Sequence, residues 1–320
     1  MKRFILKTVY VLLLVVILFV ILGLFLPYNK YGYMRAFVTK EKTIENSERG
    51  PMILLVGGSS VAFGYDCKMM SDSLGRKVYN TGLHAGLGSK CIIDEISQNA
   101  KSGDIIILAL EEFSYTKNKI RNGESIITDA AILHPGILRR FCIGQWMTFI
   151  GGLPQYIKAK TFYVLSGMEE IPVEKVDGYD CRGFNDFGDY TIHYDKGCHN
   201  TKITEKSSTK AEIDWGFIEY IKNKIHLMES RGAIVYVIPT TLNQSSYNNT
   251  KDNIDDIAFA LKKSGIPYIC EQDLFVLPDS LYYDSQRHLG KVGTLIRTER
   301  TIEVLKPLIE RNVYPSKDSL

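Results

Sequence analysis

The sequence predicts an α/β protein: a parallel sheet with helices on both faces, joined to an N-terminal membrane helix. Three observations carry this expectation. Short apolar runs of strand length recur at residues 51–57, 104–110 and 233–238. Stretches with apolar residues at helical spacing separate them, and such alternation implies βαβ units. The run DIIILAL is continuous and rich in β-branched residues, as suits a strand buried on both faces.

The first element is the membrane helix. Residues 8–26, TVYVLLLVVILFVILGLFL, carry no charge. At about 1.5 Å per residue the span reaches about 28 Å, enough to cross a hydrocarbon core. The run is too long for the apolar stretch of a cleaved signal peptide, and no small-x-small site follows it. Lys2, Arg3 and Lys7 precede the span with no acidic residue among them, while Lys30 and Arg35 follow. This bias favours the N-terminus inside and the main domain outside the cytoplasm. Residues 1–28 are therefore expected as an anchor. Residues 29–50, polar and rich in Lys and Glu, read as a stalk, and residues 51–320 as the folded domain.

The domain begins with the strand 51–57, which runs into Gly57-Gly58-Ser59-Ser60. A helical turn or two is expected at 68–74. A brief strand at 77–80 ends in the turn NTGLHAGLG. A helix at 90–100 has Ile92, Ile93 and Ile96 on one side, and the strand 104–110 ends at Glu111. The rhythm then stops. Residues 114–211 are long, mixed and rich in Gly and Tyr, which predicts an insertion with local structure of its own, a cap over the strand ends. It holds a helical piece at 137–150 and a loop-like run, DGYDCRGFNDFGDYT, at 177–191. The rhythm resumes with an amphipathic helix at 212–230, carrying Phe217, Ile218, Ile221, Ile225 and Met228 and stopped by Gly232. A strand at 233–238 ends at Pro239. A helix at 253–264, a short strand at 267–270 and a closing helix at 289–311 complete the chain.

Composition excludes several classes. The chain has 39 Lys/Arg against 36 Asp/Glu. The excess lies in residues 1–49, with eight basic and three acidic residues (+5), leaving 31 basic and 33 acidic beyond them (−2). A domain of that balance, without a basic run interleaved with aromatics, is not built for nucleic acid. No G-x-G-x-x-G or P-loop occurs, so no nucleotide cofactor is implied. Six cysteines include no CxxC, and His193, Asp195 and His199 lie in an irregular loop with no helical or hairpin frame, so no metal site is expected. Cys181 and Cys198, in polar surroundings, are candidates for a disulfide in an oxidising compartment.

Ligands of parallel sheets bind beyond the carboxyl ends of the strands. Ser59, residues 82–88 and Glu111 all fall there. Near the C-terminus, YYDSQRHLGKVG holds Asp284 and His288 four residues apart. A serine lifted by a Gly-Gly turn, a histidine base and a carboxylate to orient it are the components of nucleophilic acyl transfer. His84, in the second turn, could also face the site.

VGGSS, NTGLHAGLG and DSQRHL, in that order, resemble the sequence blocks of the SGNH (GDSL-type) hydrolase superfamily, which comprises esterases, lipases and carbohydrate O-acyltransferases. The resemblance covers residues 52–112 and 211–311 but not the insertion. It implies a flavodoxin-like three-layer fold, Ser59 as nucleophile, and Asp284 and His288 as its triad partners. It also implies an oxyanion hole from the Ser59 N–H with that of Gly82 or Gly86. With the membrane anchor, it resembles the subgroup of bacterial cell-envelope and exopolysaccharide systems. That implies a single-pass protein of the cytoplasmic membrane acting on a small acyl ester, such as acetyl, of a surface glycan, alongside polysaccharide machinery. Two departures stand out. The Asp-to-His spacing is one residue longer than D-x-x-H. Glu111 stands where the third block has Asn, and an ionised Glu repels an oxyanion rather than donating to it. That replacement supports a rival reading, a non-catalytic scaffold of this fold in a glycan assembly or export complex.

Overall fold

The structure, a computed structural model, describes residues 1–117, 119–176, 178–197 and 210–313. Its centre is a parallel sheet of β1 (Ile53–Gly57), β2 (Val78–Asn80), β3 (Ile105–Ala109) and β4 (Ile234–Val237), in the order β2-β1-β3-β4. Ile53 pairs with Val78 and Ile105, and Ile105 with Ile234. Side chains alternate along each strand, so one sheet makes two cores. Leu54, Val56, Ile106, Leu108, Val235 and Val237 face α5 (Ser89–Asn99), α8 (Trp215–Ser230) and α9 (Gln244–Lys263). Ile53, Leu55, Ile105 and Ile107 face α4 (Cys67–Leu74) and α10 (Lys291–Val313). The expected α/β class with helices on both faces is what the chain forms.

Several elements differ from expectation, each for a visible reason. Residues 267–270 do not add a full strand. Tyr268 makes one parallel bridge to Val237, and the small second sheet pairs β5 (Leu242–Asn243) with β6 (Val276–Leu277). α9 starts nine residues before the expected 253, because Asn243 caps it, its side chain accepting from Ser246 N at 3.1 Å. The polar turns that follow the cap carry too few apolar residues to show a period.

The stalk reading of residues 29–50 is overturned. α2 (Arg35–Glu45) buries Ala36, Phe37, Lys40, Glu41 and Ile44 on one face. Lys40, 3% exposed, donates to the carbonyls of Asn80 and Gly188, each at 2.6 Å. A buried ammonium satisfied by main-chain oxygens reads as surface charge in a sequence. Arg49 likewise makes a two-armed bond to Asp104, both distances 2.8 Å.

The insertion holds α6 (Ile126–Leu133) and α7 (Ile143–Leu165). α7 starts later and runs further than the expected 137–150, passing through Gly152 and Pro154. A Cβ at Gly152 would overlap the Thr128 hydroxyl, so its bareness lets α7 lie against α6. With α2 and the loops after β1 and β2, the insertion forms a third core around Tyr33, Phe37, Phe63, Leu83, Ile127 and Tyr190. The loop-like run 177–191 is part of it: Asp180, Asp189 and Tyr190 are buried, and Phe184 bridges Tyr190. Cys181 is free among the described residues, and Cys198 and His199 lie outside them. α1 (Lys2–Phe25) has no buried residue and is long and apolar enough to cross a membrane.

Candidate active site

β1 delivers the chain to the site through two glycines. A Cβ on Gly58 would lie 2.8 Å from Glu111 Oε2 and 2.9 Å from Ala85 Cα, so only a bare residue lets the three strand-end loops close on one point. Ser59 then opens the short helix α3 (Ser59–Ala62) and is half-buried. Its neighbour Ser60 points the other way. Ser60 is fully buried, and its hydroxyl donates to Glu111 Oε1 at 3.0 Å. The two adjacent serines are thus divided by burial: Ser59 is the more accessible one, and the Ser60 hydroxyl is taken by Glu111.

The second part is the loop between Tyr282 and Leu289, which form an antiparallel bridge. Tyr283 N donates to His288 O at 2.7 Å, and His288 N donates to Ser285 Oγ at 3.1 Å. This closed loop sets Asp284 beside His288, with Nδ1 2.6 Å from Asp284 Oδ1. The fourth residue of spacing is absorbed by the loop rather than spoiling the pair. With Nδ1–H donated to the carboxylate, Nε2 is left as the acceptor, the tautomer a base requires.

The insertion supplies what the sequence did not disclose. Tyr179 donates to Asp284 Oδ2 at 3.0 Å and sits 3.2 Å from His288 Nδ1. Burial would raise the Asp284 carboxyl, but the hydrogen bonds from His288 and Tyr179 outweigh it and hold it below its ordinary value. Burial and the same carboxylate push the Tyr179 phenol up, so it stays a donor. The His288 ring stacks on Phe63, centroids 4.3 Å apart and planes 15° apart. Phe63 lies one helical turn beyond Ser59, its N–H donating to Ser59 O at 2.9 Å, so the ring under His288 is carried by the same turn as the serine. Among the described residues no hydrogen bond joins Ser59 Oγ to His288. Such bonds are often long until substrate is bound.

Both glycines offered as the second oxyanion donor have occupied amides. Gly82 N donates to Asn80 Oδ1, and Gly86 N to His84 Nδ1, both at 2.9 Å. Polar side chains two residues upstream capture both amides, as short turns favour. The N–H groups of Ser59 and Ala85 meet no acceptor among the described residues. Because His84 Nδ1 accepts, its Nε2 carries the proton. Burial, and then the charge of nearby His288, push His84 down to about 4, so it is a neutral donor.

His193, in the insertion, is 2% exposed, and its Nε2 donates to Leu289 O at 2.8 Å. Arg297, fully buried, donates to Ser60 O at 2.6 Å and lies over the Tyr65 ring, tying α10 to the turn. A polar residue at helical spacing among apolar ones was the only sequence signal for Arg297.

Glu111 is held under the Gly58–Ser60 turn by the Ser60 hydroxyl and a backbone N–H, while Arg287 pairs with the adjacent Glu112. Burial outweighs the hydrogen bonds and Arg287, and raises the Glu111 carboxyl. As pH rises, the unfolded chain gives up this proton before the folded one does. Stability is therefore full below the ordinary glutamate range and falls as pH climbs towards the raised value. Glu111→Gln keeps an acceptor for Ser60 and removes that slope. Thermal melts should show the variant gaining on the parent from pH 4 to pH 8. Parallel pH profiles would show that Glu111 titrates normally.

Against known proteins, the chain matches no family model and no curated sequence.

Proposed function

We propose that this protein is a membrane-anchored serine esterase or O-acyltransferase of the SGNH type, acting on a small acyl ester, such as acetyl, of a surface glycan. The observation that carries the reading is the Tyr179–Asp284–His288 relay, stacked on Phe63 one turn from the reachable Ser59. The sheet order β2-β1-β3-β4, with Tyr268 bridging at the β4 edge, supports a flavodoxin-like arrangement.

In this mechanism His288 Nε2 takes the Ser59 proton as Oγ attacks the acyl carbonyl. Asp284 and Tyr179 steady the imidazolium. The Ser59 N–H, with the Ala85 N–H and His84 Nε2–H beside it, faces the negative charge that builds on the acyl oxygen. His288 then returns its proton to the leaving alcohol, which leaves an acyl-Ser59 ester. Water or a glycan hydroxyl, deprotonated by His288, releases the acyl group. A carboxylate near this oxygen would oppose the reaction, and Glu111 is engaged instead by the buried Ser60 hydroxyl under the turn. The positive-inside bias around α1 supports a domain outside the cytoplasm of a bacterial cell.

The rival scaffold reading keeps one observation in its favour: the two expected glycine donors are occupied. A fluorophosphonate probe separates the readings. The purified protein should be labelled, and peptide mapping should find the adduct on Ser59. A folded protein that takes up no probe would favour the scaffold.

A further inference from the structure

α7 is built inside out for a helix in water. Its outward face carries Ile143 (81% exposed), Met147 (71%), Ile150 (59%), Phe162 (62%) and Leu165 (76%), together with Trp146. Ile143, Met147 and Ile150 recur at three- and four-residue spacing, and Phe162 and Leu165 return to the same side of the helix further on, with Gly151, Pro154 and Lys158 between them. The inward face buries Gln145 (1% exposed) and Lys160 (5% exposed) beside Tyr156 and Ile157. A soluble domain arranges such a helix the other way round. The helix has no acidic residue, and the lysine on its outward face, Lys158, lies with Nζ 5.8 Å from the Phe162 ring centroid.

The same helix is fastened to the membrane-crossing candidate. Lys160 Nζ donates to Gly23 O at 2.6 Å, and Tyr156 stacks on Tyr28 at 5.6 Å. A Cβ on Gly23 would sit 3.3 Å from Ile157 Cδ1, so the two backbones approach closely. Gly23 lies about one turn inside the domain-side end of α1, at the depth where hydrocarbon gives way to headgroups. Arg139, exposed just before α7, and Lys158 suit anionic headgroups, and Trp146 suits the interface itself.

We propose that α7 lies in the surface of the lipid bilayer, its apolar face sunk to the headgroup–acyl boundary. The occupant of that face is lipid, by continuity with α1, and the inference rests on α1 being the anchor. The domain then lies on the membrane instead of hanging from a tether, and the insertion that lends Tyr179 to the site is held at the surface.

The chain has two tryptophans, Trp146 and Trp215. The test uses the full-length Trp215→Phe protein in vesicles of phosphatidylcholine and phosphatidylglycerol. It should float with the vesicles. Bromine-labelled acyl chains should remove most Trp146 emission, and iodide in the buffer should remove little. Adding Met147→Glu and Ile150→Glu, at side chains already exposed, should leave flotation and circular dichroism intact but reverse the two quenching results. Flotation with iodide quenching and no bromolipid quenching would overturn the proposal while leaving the anchor standing. Shielding from both quenchers would overturn it in favour of contact with a second copy. Failure to float would overturn it together with the anchor reading.

Discussion

Alanine at His288 should lower the Ser59-dependent hydrolysis of p-nitrophenyl acetate by about 10⁴-fold, the scale of losing a triad member. Ser59→Ala should fall to the same floor, and the double variant should be little worse, because the two groups act in one proton transfer. Ser60→Ala should stay near the parent rate, since that hydroxyl is buried against Glu111. Tyr179→Phe tests the relay. It removes a hydrogen bond to a charged carboxylate, worth roughly 1.5–3 kcal/mol, so a loss of about tenfold or more is expected. The loss should fall on kcat more than on KM, because the imidazolium exists only once the proton has moved. Turnover in His288→Ala within a few-fold of the parent would remove the histidine from the mechanism.

The second large effect is on stability, at the opposite end of the sheet. Arg49→Ala should destabilise the domain by about 3–5 kcal/mol, the cost of leaving one member of a buried ion pair alone. Asp104 is fully buried at the entry to β3 and accepts two arms of Arg49 as well as N–H bonds from Met52 and Lys101. Arg49 also donates to the carbonyls of Ile44 and Asn99, so it joins α2, α5 and the start of β1. Urea titration followed by tryptophan fluorescence would measure the change. Probe labelling of the folded fraction should be unaltered, since the pair lies at the N-terminal ends of the strands. A loss under about 1 kcal/mol would return residues 29–50 to the role of a tether, because solvent-exposed pairs contribute about that little.

The sequence by itself determined the parts whose signal is local. The apolar runs of β1, β3 and β4 disclosed a buried parallel sheet, because a strand covered on both faces has no polar side to show. The uncharged run of α1 disclosed a membrane-crossing length. Gly57-Gly58 pointed to Ser59, and the D-x-x-x-H spacing pointed to the Asp284–His288 pair, since each is shaped by a few neighbouring residues. Only the tertiary structure decided what depends on distant chain. Tyr179 meets Asp284 across 105 residues, and no local pattern in a tyrosine-rich insertion distinguishes it from its neighbours. Lys40 and Arg49 looked like solvated charge because their carbonyl and carboxylate partners lie on other elements. Gly82 and Gly86 looked like free donors because an amide capture by Asn80 or His84 depends on a side-chain rotamer that spacing leaves open. A helical piece within α7 was legible in sequence, but which face a helix buries is settled by the elements beside it, and here those are α6 and the end of α1.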